Sequence, residues 1–449
     1  MRRKSLGQSP FKPQKFGDSP GFAYSSALHK DVLNSYVYGI RFTRYTWSSM
    51  QEIMEKVMGC PGYRFAALHC GLKKDLQPDL ALIVSAVPAV ATAVFTTNLF
   101  PAAPVIYGRR QLAAAAPISA VLVNSGNANA CTGDQGLVHV KELAKGLSSV
   151  LSVPEKEVFI SSTGVIGEPL PVDMIVSFLP RFPELLSASS LTAAAEAIMT
   201  TDSQPKTCSV SLQLSTGVVH LCGLAKGAGM IEPNMATMLA YLLTDAEIPG
   251  SMLQKLLVQV VDRSFNRISV DGDTSTNDTV LLLANGVSGC SLATEGDAKA
   301  FAAGLYQVAD ELSRMIVKDG EGATKMVEIL VRNAPDRRAA EQISRTIAHS
   351  LLVKTAFYGE DANWGRIIAA LGYAGVDLDP GRVDIWLDRI QVVAGGQRCP
   401  GYQEADGAAV FRQDSFTVAI DLHAGDGSFS LLTADLSHEY VSINADYRT

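Results

Sequence analysis

A glycine-bearing segment near the middle of the chain carries a lysine and a threonine that could take part in chemistry. Lys226 precedes Gly227 and Gly229, and Thr237 lies further along. A phosphate-binding P-loop places its lysine after the last glycine, followed by serine or threonine, whereas here the lysine comes first. A dinucleotide fingerprint would need its third glycine where Glu232 stands. The segment therefore does not favour a nucleotide phosphate site.

Thr237 is one threonine among many, and it becomes a candidate nucleophile only through the resemblance to a known family that is described after the other motifs. A threonine hydroxyl is a weak nucleophile unless a base removes its proton. If its oxygen attacked the carbonyl carbon of Ala236, the peptide bond would become an ester, and hydrolysis would free the Thr237 α-amine. An α-amine has a reference pKa of about 7.7–8.0, so near neutral pH a sizeable fraction is neutral and can act as the base. Taken alone, Thr237 could equally be a surface or helix-capping threonine.

A second candidate is the turn formed by Ser162, Thr163 and Gly164, with Gly167 close behind. A turn of this composition after a strand can present backbone N–H groups to an anion. Acyl transfer needs such donors for the oxyanion of its tetrahedral intermediate, and one donor is typically worth roughly 100- to 1000-fold in rate. An ordinary Ser/Thr/Gly turn is the alternative.

The composition is that of a globular protein. The chain has 449 residues, is 47% hydrophobic and 18% charged, and its net charge of −7 gives no support for nucleic-acid binding. Its seven cysteines are widely spaced without a C-x-x-C pair, and its seven histidines are scattered. This pattern predicts neither a disulfide framework nor a metal site built by the protein.

The longest apolar run, Leu80–Phe95, bears on membrane insertion. A membrane-spanning helix needs about 20 apolar residues, and this run is shorter and is interrupted by Pro88. It closes on Thr96, Thr97 and Asn98, and it is rich in alanine and valine. We expect buried strands with a turn, and no association with a membrane.

The N-terminal segment, residues 1–58, differs from the rest. Its first fifty residues carry eight lysines and arginines against two acidic residues, and serines are frequent. A basic, acid-poor start resembles an organellar transit peptide. We expect a mitochondrial matrix protein; a plastid or cytoplasmic location and a dispensable extension are the alternatives.

The elements that must position these residues alternate between helical and extended patterns. Together they predict sheets covered by helices. Helices are predicted over Leu137–Leu151, Leu191–Met199, Met252–Phe265, Ala298–Val317 and Ala339–Val353. Strands are predicted over Ala120–Val123, Val158–Ser161, Thr207–Leu214, Val218–Leu224, Val383–Leu387, Phe416–Leu422, Phe429–Leu432 and Tyr440–Ile443.

The chain resembles the ornithine acetyltransferase (glutamate N-acetyltransferase, ArgJ) family in motifs that run in family order from about Gly59 to the last residue. Only the N-terminal extension is outside the resemblance. The motifs are Val94–Asn98, Ala102–Val105, Asn124–Asn129, Ser162–Gly167, Met199–Asp202, Pro205–Lys206, Lys226–Leu239, Ser264–Asn266, Ser269–Thr279, Asp319–Lys325, Asn363–Arg366 and Asn444–Thr449.

The resemblance implies a fold and a processing event. The fold is an α/β layered αββα sandwich of the kind found in self-processing N-terminal-nucleophile enzymes, with a smaller second domain. Cleavage between Ala236 and Thr237 would divide the chain after the 1–58 extension into an alpha chain, 59–236, and a beta chain, 237–449. Two copies of each would form a heterotetramer.

The resemblance also implies a reaction and its residues. Acetyl would pass from N2-acetylornithine to L-glutamate, in arginine biosynthesis, by a ping-pong mechanism through acetylated Thr237, with Thr163 and Gly164 stabilising the oxyanion. No cofactor is implied, and the use of acetyl-CoA as a second donor stays open. Ser203 replaces a threonine common in the family, which leaves open whether Thr200 or Thr201 faces the substrate. The implied substrate contacts are Thr200, Lys226, Thr237, Glu321, Asn444 and Thr449.

Two other functions fit the same motifs. A self-processing aminopeptidase of related fold would pass the acyl group to water, and a non-enzymatic relative would keep the fold without processing. Asp271 and Asp273 lack the later glutamate of a calcium loop and are interpreted as structural turn residues.

Overall fold

The computed structural model describes residues 59–232 and 238–446, together with two short strands, β1 (Tyr36–Val37) and β2 (Ile40–Arg41), which pair antiparallel. Residues 52–449 form one compact unit. Ala236, Thr237, Thr449 and most of the N-terminal extension lie outside the described residues. No helix in the described part of the chain is long and apolar enough to cross a membrane.

Two sheets that share one long strand form the larger part of the molecule. In the first sheet, β4 pairs antiparallel with β3 and β5, and β5 pairs parallel with β6. The second sheet continues from the far half of β4 in the order β11, β9, β8 and β7. The bounds are β3 (Tyr63–Leu68), β4 (Leu80–Phe95), β5 (Ile118–Asn127), β6 (Val158–Val165), β7 (Lys206–Leu214), β8 (Gly217–Lys226), β9 (Leu239–Thr244) and β11 (Thr279–Ala284).

Alternating side chains place the two sheets face to face. Ile83 and Val121 of the first sheet and Tyr241 and Leu281 of the second belong to one buried cluster, whereas their chain neighbours point to the outer faces. Because these strands are buried on both sides, they appear in the sequence as continuous apolar runs.

Helices cover both outer faces, which completes the expected αββα sandwich. The bounds are α1 (Ala103–Ala113), α2 (Gly133–Leu151), α3 (Val172–Phe178), α4 (Phe182–Leu185), α5 (Leu191–Ala197), α6 (Gly250–Val261) and α7 (Glu295–Lys318). Helices α2 and α3 pack on the first sheet and α6 and α7 on the second, while α5 packs against strands of both.

A third sheet and its helices form the C-terminal region, which has a core of its own. Its strands follow the order β10, β17, β12, β16, β13, β14 and β15. The strands are β10 (Ile268–Ser269), β12 (Met326–Ala334), β13 (Asp384–Leu387), β14 (Ile390–Ala394), β15 (Gln397–Arg398), β16 (Ser415–Asp421) and β17 (Gly427–Ala434). The helices are α8 (Arg337–His349), α9 (Leu351–Tyr358), α10 (Trp364–Gly372), α11 (Glu404–Phe411) and α12 (His438–Asp446).

Three sequence predictions of helices and strands were wrong. Leu80–Phe95 is one strand rather than two with a turn; its pairing shifts register between Val84 and Ala89, where it passes from one sheet to the other, and Pro88 is exposed there. The helix predicted over Ala339–Val353 breaks at Ser350, whose hydroxyl caps α9.

The third error concerns the strand predicted at Tyr440–Ile443, which lies within the helix α12. A short run of aromatic and β-branched residues fits a strand locally. Contacts from Tyr440 and Asn444 to distant residues hold the segment as a helix instead. Tertiary contacts therefore override the local preference here.

Candidate functional site

A buried lysine at the end of β8 is the centre of the candidate site. The Lys226 ammonium donates a hydrogen bond to the Thr200 hydroxyl oxygen at 2.7 Å and lies 3.8 Å from Oδ2 of Asp202. Thr200 and Asp202 belong to the segment that follows α5. Thr200, rather than Thr201, is therefore the threonine that contacts Lys226.

Asp202 organises this end of the site. It accepts hydrogen bonds from the backbone N–H of Gly227 at 2.6 Å and of Thr200 at 3.0 Å, and from the Lys206 ammonium at 2.7 Å. Burial by itself would raise the pKa of Asp202, but the charges of Lys226 and Lys206 and these hydrogen bonds outweigh it and lower the pKa. Asp202 is thus a fixed carboxylate that keeps two lysines in place.

Lys226 is not fully neutralised by these contacts. Burial lowers its pKa, and the charge of Asp202 offsets part of that effect. Lys206 makes the shorter contact with Asp202 and also contacts Asp319 at 2.5 Å, so Lys226 keeps donor capacity for another anion. An amino-acid carboxylate would be a suitable partner.

A carboxylate, Glu321, also acts on Lys226. Glu321 is buried, and its charge raises the pKa of Lys226. Its Oε2 accepts a hydrogen bond from the Asn444 side-chain amide at 2.6 Å, and its backbone N–H donates to Ala228 at 3.0 Å. A side chain at Gly229 would lie 2.3 Å from the Glu321 carboxylate, which explains the glycine there. The site thus offers a cation to a carboxylate and an anion to an ammonium group, which complements the two charges of an amino acid.

Thr163 and Gly164 lie inside the end of β6 and pair with Ser125 and Gly126 of β5, so the prediction that the strand gives way to a turn before them was wrong. The chain bends only after Val165. The end of β6 together with this bend is called the Thr163–Gly164 turn. Gly164 has a φ of +132°, and a Cβ there would lie 2.3 Å from the carbonyl carbon of Gly126. Both the backbone conformation and the close approach require glycine. Thr163 is half-buried, so the turn is accessible from one side.

Asn277 ties this turn to the loop before β11. Its side-chain amide donates to the carbonyl oxygen of Ser162 at 2.8 Å and of Ala128 at 2.6 Å. The next residue, Asp278, is close enough to raise the pKa of Lys226 by its charge. The structure thereby brings the Thr163–Gly164 turn and the Lys226 cluster to the same region.

Asp271 and Tyr440 are residues whose role sequence reasoning missed. The Asp271 carboxylate accepts backbone hydrogen bonds from Met230 at 2.7 Å and Ile231 at 2.8 Å, and from the Tyr440 hydroxyl at 3.2 Å. Burial and the Asp271 charge raise the pKa of Tyr440. Asp271 thus holds the residues just before 233–237, a role that turn spacing alone does not reveal.

The same segment is held by further contacts. Glu232 forms an ion pair with Arg345, and its Oε2 is 2.9 Å from Nε2 of His349, within hydrogen-bond distance. The backbone N–H of Thr279 donates to the carbonyl oxygen of Met238 at 3.0 Å. The residues on either side of 233–237 are therefore anchored to α8, to the start of β11 and to the segment that follows β10. Among the described residues, no group of three or more His, Cys, Asp or Glu side chains could hold a metal ion.

Comparison with known proteins gives consistent matches. A family model described as the ArgJ family matches residues 64–449. The arginine biosynthesis bifunctional protein ArgJ of Geobacter sulfurreducens is 46% identical over 399 residues, which cover 87% of this chain and 100% of that protein. The protein of the same name from Syntrophotalea carbinolica is 48% identical over 390 residues, 86% of this chain and 99% of that protein.

Solved structures with similar sequences were also found. The arginine biosynthesis bifunctional protein ArgJ of Bacillus halodurans is 39% identical and covers 47% of this chain and 100% of that chain, with a TM-score of 0.45. An ornithine acetyltransferase from Mycobacterium tuberculosis, complexed with ornithine, is 36% identical and covers 40% of this chain and 95% of that chain, with a TM-score of 0.37.

Proposed function

Since the chain belongs to the ArgJ family, we propose that it transfers an acetyl group from N2-acetylornithine to L-glutamate. It is an acetyltransferase of arginine biosynthesis, and the hydrolase considered from sequence is not supported by its relatives. The observation that carries the proposal is the buried Lys226, which is hydrogen-bonded to Thr200 and lies within range of the charge of Glu321.

The charges of the site suit a small amino acid. The Lys226 ammonium would bind the α-carboxylate common to both substrates, and the Thr200 hydroxyl would orient that ammonium. Glu321, held by Asn444, would accept a hydrogen bond from a substrate amine. We include Thr449 among the contacts on the family resemblance alone.

Thr237 is the proposed nucleophile. Cleavage after Ala236 would free its α-amine, which would remove the hydroxyl proton during attack on the acetyl carbonyl carbon. The C–N bond of the acetyl donor would break, ornithine would leave with the proton, and glutamate would take the acetyl group in a second step. The firm anchoring of residues on both sides of 233–237 supports this role.

The Thr163–Gly164 turn is the proposed oxyanion site. Its strained backbone and its fixation by Asn277 supply donors whose positions do not need to reorganise during the reaction. The backbone N–H of Gly164 and the Thr163 hydroxyl would point to the developing charge.

The relatives carry the word bifunctional in their names, which supports a second acetyl donor. We propose that acetyl-CoA can also acetylate Thr237, acting as a substrate rather than as a bound cofactor. Glutamate and acetyl-CoA supplied without acetylornithine should then yield acetylglutamate.

The assembly and the location of the protein are proposed on grounds other than the geometry of the site. We propose two alpha and two beta chains per molecule, on the family resemblance. From the basic composition of residues 1–58 we propose that the protein is directed to the mitochondrial matrix. Its bacterial relatives give no support to this destination.

The test of the nucleophile combines protein chemistry with a substitution. The purified protein should consist of two fragments, one of which begins at Thr237. After mixing with acetylornithine alone, mass spectrometry should find one acetyl group on that fragment. Thr237→Ala should stay uncut and inactive because it lacks the attacking hydroxyl, with Thr201→Ala as the control that is still cut. A fully processed Thr237→Ala protein would refute this mechanism.

A further inference from the structure

The loop between β3 and β4 carries a lysine, Lys73, that has no role in the site described so far. The loop is organised by Asp79, whose side chain is fully buried. Its carboxylate accepts backbone hydrogen bonds from Cys70 at 2.7 Å, Gly71 at 3.0 Å, Leu72 at 2.8 Å and Lys73 at 3.2 Å. Several charge-assisted bonds to one carboxylate fix the loop backbone without using the Lys73 side chain.

This loop lies against the proposed oxyanion turn. The carbonyl oxygen of Leu72 is 3.1 Å from the point where a Cβ would stand on Gly126. Gly126 in turn meets Gly164, and the backbone N–H of Ser125 donates to the Asp79 carbonyl oxygen at 2.9 Å. The backbone of the loop is therefore packed directly on the strand end that carries this turn.

The same strand end contacts the segment that carries Thr200. The Ser125 hydroxyl donates to the carbonyl oxygen of Ala197 at 2.6 Å, three residues before Thr200. Lys73, the oxyanion turn and the Thr200 segment thus surround one region. Burial lowers the pKa of Lys73, the charges of Asp79, Asp75 and Asp202 raise it, and the charge of Lys226 lowers it. Lys73 therefore lies within electrostatic range of Asp202 and Lys226.

The Lys73 ammonium makes a hydrogen bond to the loop backbone and is acted on by the charges of Asp79 and Asp75. It donates to a neutral oxygen, the carbonyl of Pro78, at 2.9 Å, and an ammonium group has three donors. It is half-buried, so that an anion bound there would be partly shielded from water. Lys73 therefore provides a second positive charge within electrostatic range of Lys226.

Two cations would distinguish the two proposed substrates. Both substrates carry an α-carboxylate, but the side chain of glutamate ends in a second carboxylate, whereas that of acetylornithine ends in an ammonium. A cation near the side-chain end attracts the former and repels the latter. Lys226 cannot make this distinction if it holds the α-carboxylate.

We propose that Lys73 binds the side-chain carboxylate of the acetyl acceptor and thereby selects a dicarboxylic amino acid for the second half of the reaction. The inference rests on the proposed acetyl transfer from acetylornithine to glutamate. While the donor occupies the site, the Lys73 ammonium stays on the Pro78 carbonyl oxygen.

The test compares Lys73→Met with Lys73→Arg and with Lys74→Met, a control at the adjacent exposed lysine. Since the backbone of Lys73 makes the hydrogen bond to Asp79, these substitutions leave the loop's hydrogen bonds to Asp79 intact, and Lys73→Met loses only the bond to the Pro78 carbonyl oxygen. Kinetic constants are measured for glutamate and for glutamine as acceptors. The exchange of labelled ornithine into acetylornithine, which needs no acceptor, is measured in the same preparations.

Lys73→Met should raise the KM for glutamate about 10- to 100-fold, the usual effect of losing a hydrogen bond to a charged group. The preference for glutamate over glutamine should disappear, while the rate of ornithine exchange at saturating acetylornithine changes by less than about twofold. Lys73→Arg should keep part of the preference, and Lys74→Met should behave as the unaltered enzyme.

Two results would overturn the proposal. An unchanged KM for glutamate would show that Lys73 does not touch the acceptor, and an equal loss in exchange and in full transfer would show that it only braces the loop. If the unaltered enzyme makes acetylglutamate but exchanges no ornithine, the shared acetyl-enzyme of the proposed function fails, which is distinct from a failure at Lys73.

Discussion

At the scale of single residues, the site depends on charges that burial makes expensive to leave unpaired. Lys226 and Asp202 are both buried. From the sequence alone they would be interpreted as ordinary surface charges. Removing one partner of such a network leaves the other charge uncompensated, which typically costs about 3–5 kcal/mol. The network is therefore evidence of a function rather than of added stability.

Lys226→Met tests the proposed carboxylate contact. We expect the apparent affinity for both acetylornithine and glutamate to fall about tenfold or more, because both would lose the same charge-assisted hydrogen bond. Steady-state kinetics with each substrate varied in turn measures this effect. Lys299→Met, at a lysine on α7 in an exposed ion pair, is the control; a loss confined to one substrate would contradict a shared α-carboxylate site.

The pKa of Lys226 gives this contact a pH dependence. Burial lowers the pKa, so in the free enzyme the ammonium loses its proton at a lower pH than an exposed lysine would. Only the protonated form attracts a carboxylate. The apparent KM of both substrates should therefore rise as the pH is raised through this lowered pKa.

Gly164→Ala tests the oxyanion turn. A Cβ would meet the Gly126 backbone at 2.3 Å and the φ of +132° disfavours any side chain, so we expect a stability loss of roughly 1–3 kcal/mol and a large fall in kcat. Thr163→Ala should lower kcat less and leave stability nearly unchanged, because the Gly164 N–H survives. Thermal unfolding and acetylation rates separate the two variants; equal effects would argue against a backbone donor at Gly164.

At the scale of elements, the last helix, α12, links the C-terminal region to the site. One turn of it contacts Asp271 through Tyr440, and the next contacts Glu321 through Asn444. Residues four apart lie on the same face of a helix, so this face meets both the site and the anchor of the segment before 233–237. The element is short and none of its side chains is fully buried, hence these polar contacts must position it.

Tyr440→Phe tests this positioning. Loss of the hydroxyl removes the 3.2 Å hydrogen bond to Asp271, worth about 1 kcal/mol. We expect the KM of both substrates to rise a few-fold through Asn444, with the fold intact by circular dichroism. Tyr373→Phe, at an exposed tyrosine, is the matched control, and identical kinetics of the two variants would count against α12 as a positioning element.

At the scale of the whole molecule, the N-terminal segment, residues 1–58, lies outside the part of the chain that the family model matches. The family match begins at residue 64, and the fold described from residue 59 onward contains its own cores. We therefore expect residues 1–58 to affect location rather than catalysis. Their basic residues are the property that import into mitochondria would use.

A reporter experiment tests the location. Residues 1–58 fused to a fluorescent protein should direct it to mitochondria, and removal of these residues should leave ornithine exchange unchanged. A fusion in which all lysines and arginines of the segment are replaced by glutamine is the control. A diffuse signal from the unaltered fusion would reject the targeting proposal and leave the enzymatic assignment untouched.

The sequence by itself determined the family, the reaction and the layered α/β class, because motifs such as Ser162–Gly167 and Lys226–Leu239 require particular residue types in fixed order. Local periodicity also located most helices, since an apolar stripe repeats within a single element. The strands Thr207–Leu214 and Val218–Leu224 were predicted from such local signals, and they pair antiparallel as β7 and β8.

Only the tertiary structure decided which residues meet. The passage of the strand Leu80–Phe95 from one sheet to the other, the break at Ser350 and the helical state of Tyr440–Ile443 depend on partners far along the chain. The choice of Thr200 over Thr201 as the partner of Lys226 depends on such a long-range contact. So does the packing of the Lys73 loop on Gly126. Hydrogen bonds and burial act over a few ångströms in space, and sequence spacing does not encode those distances.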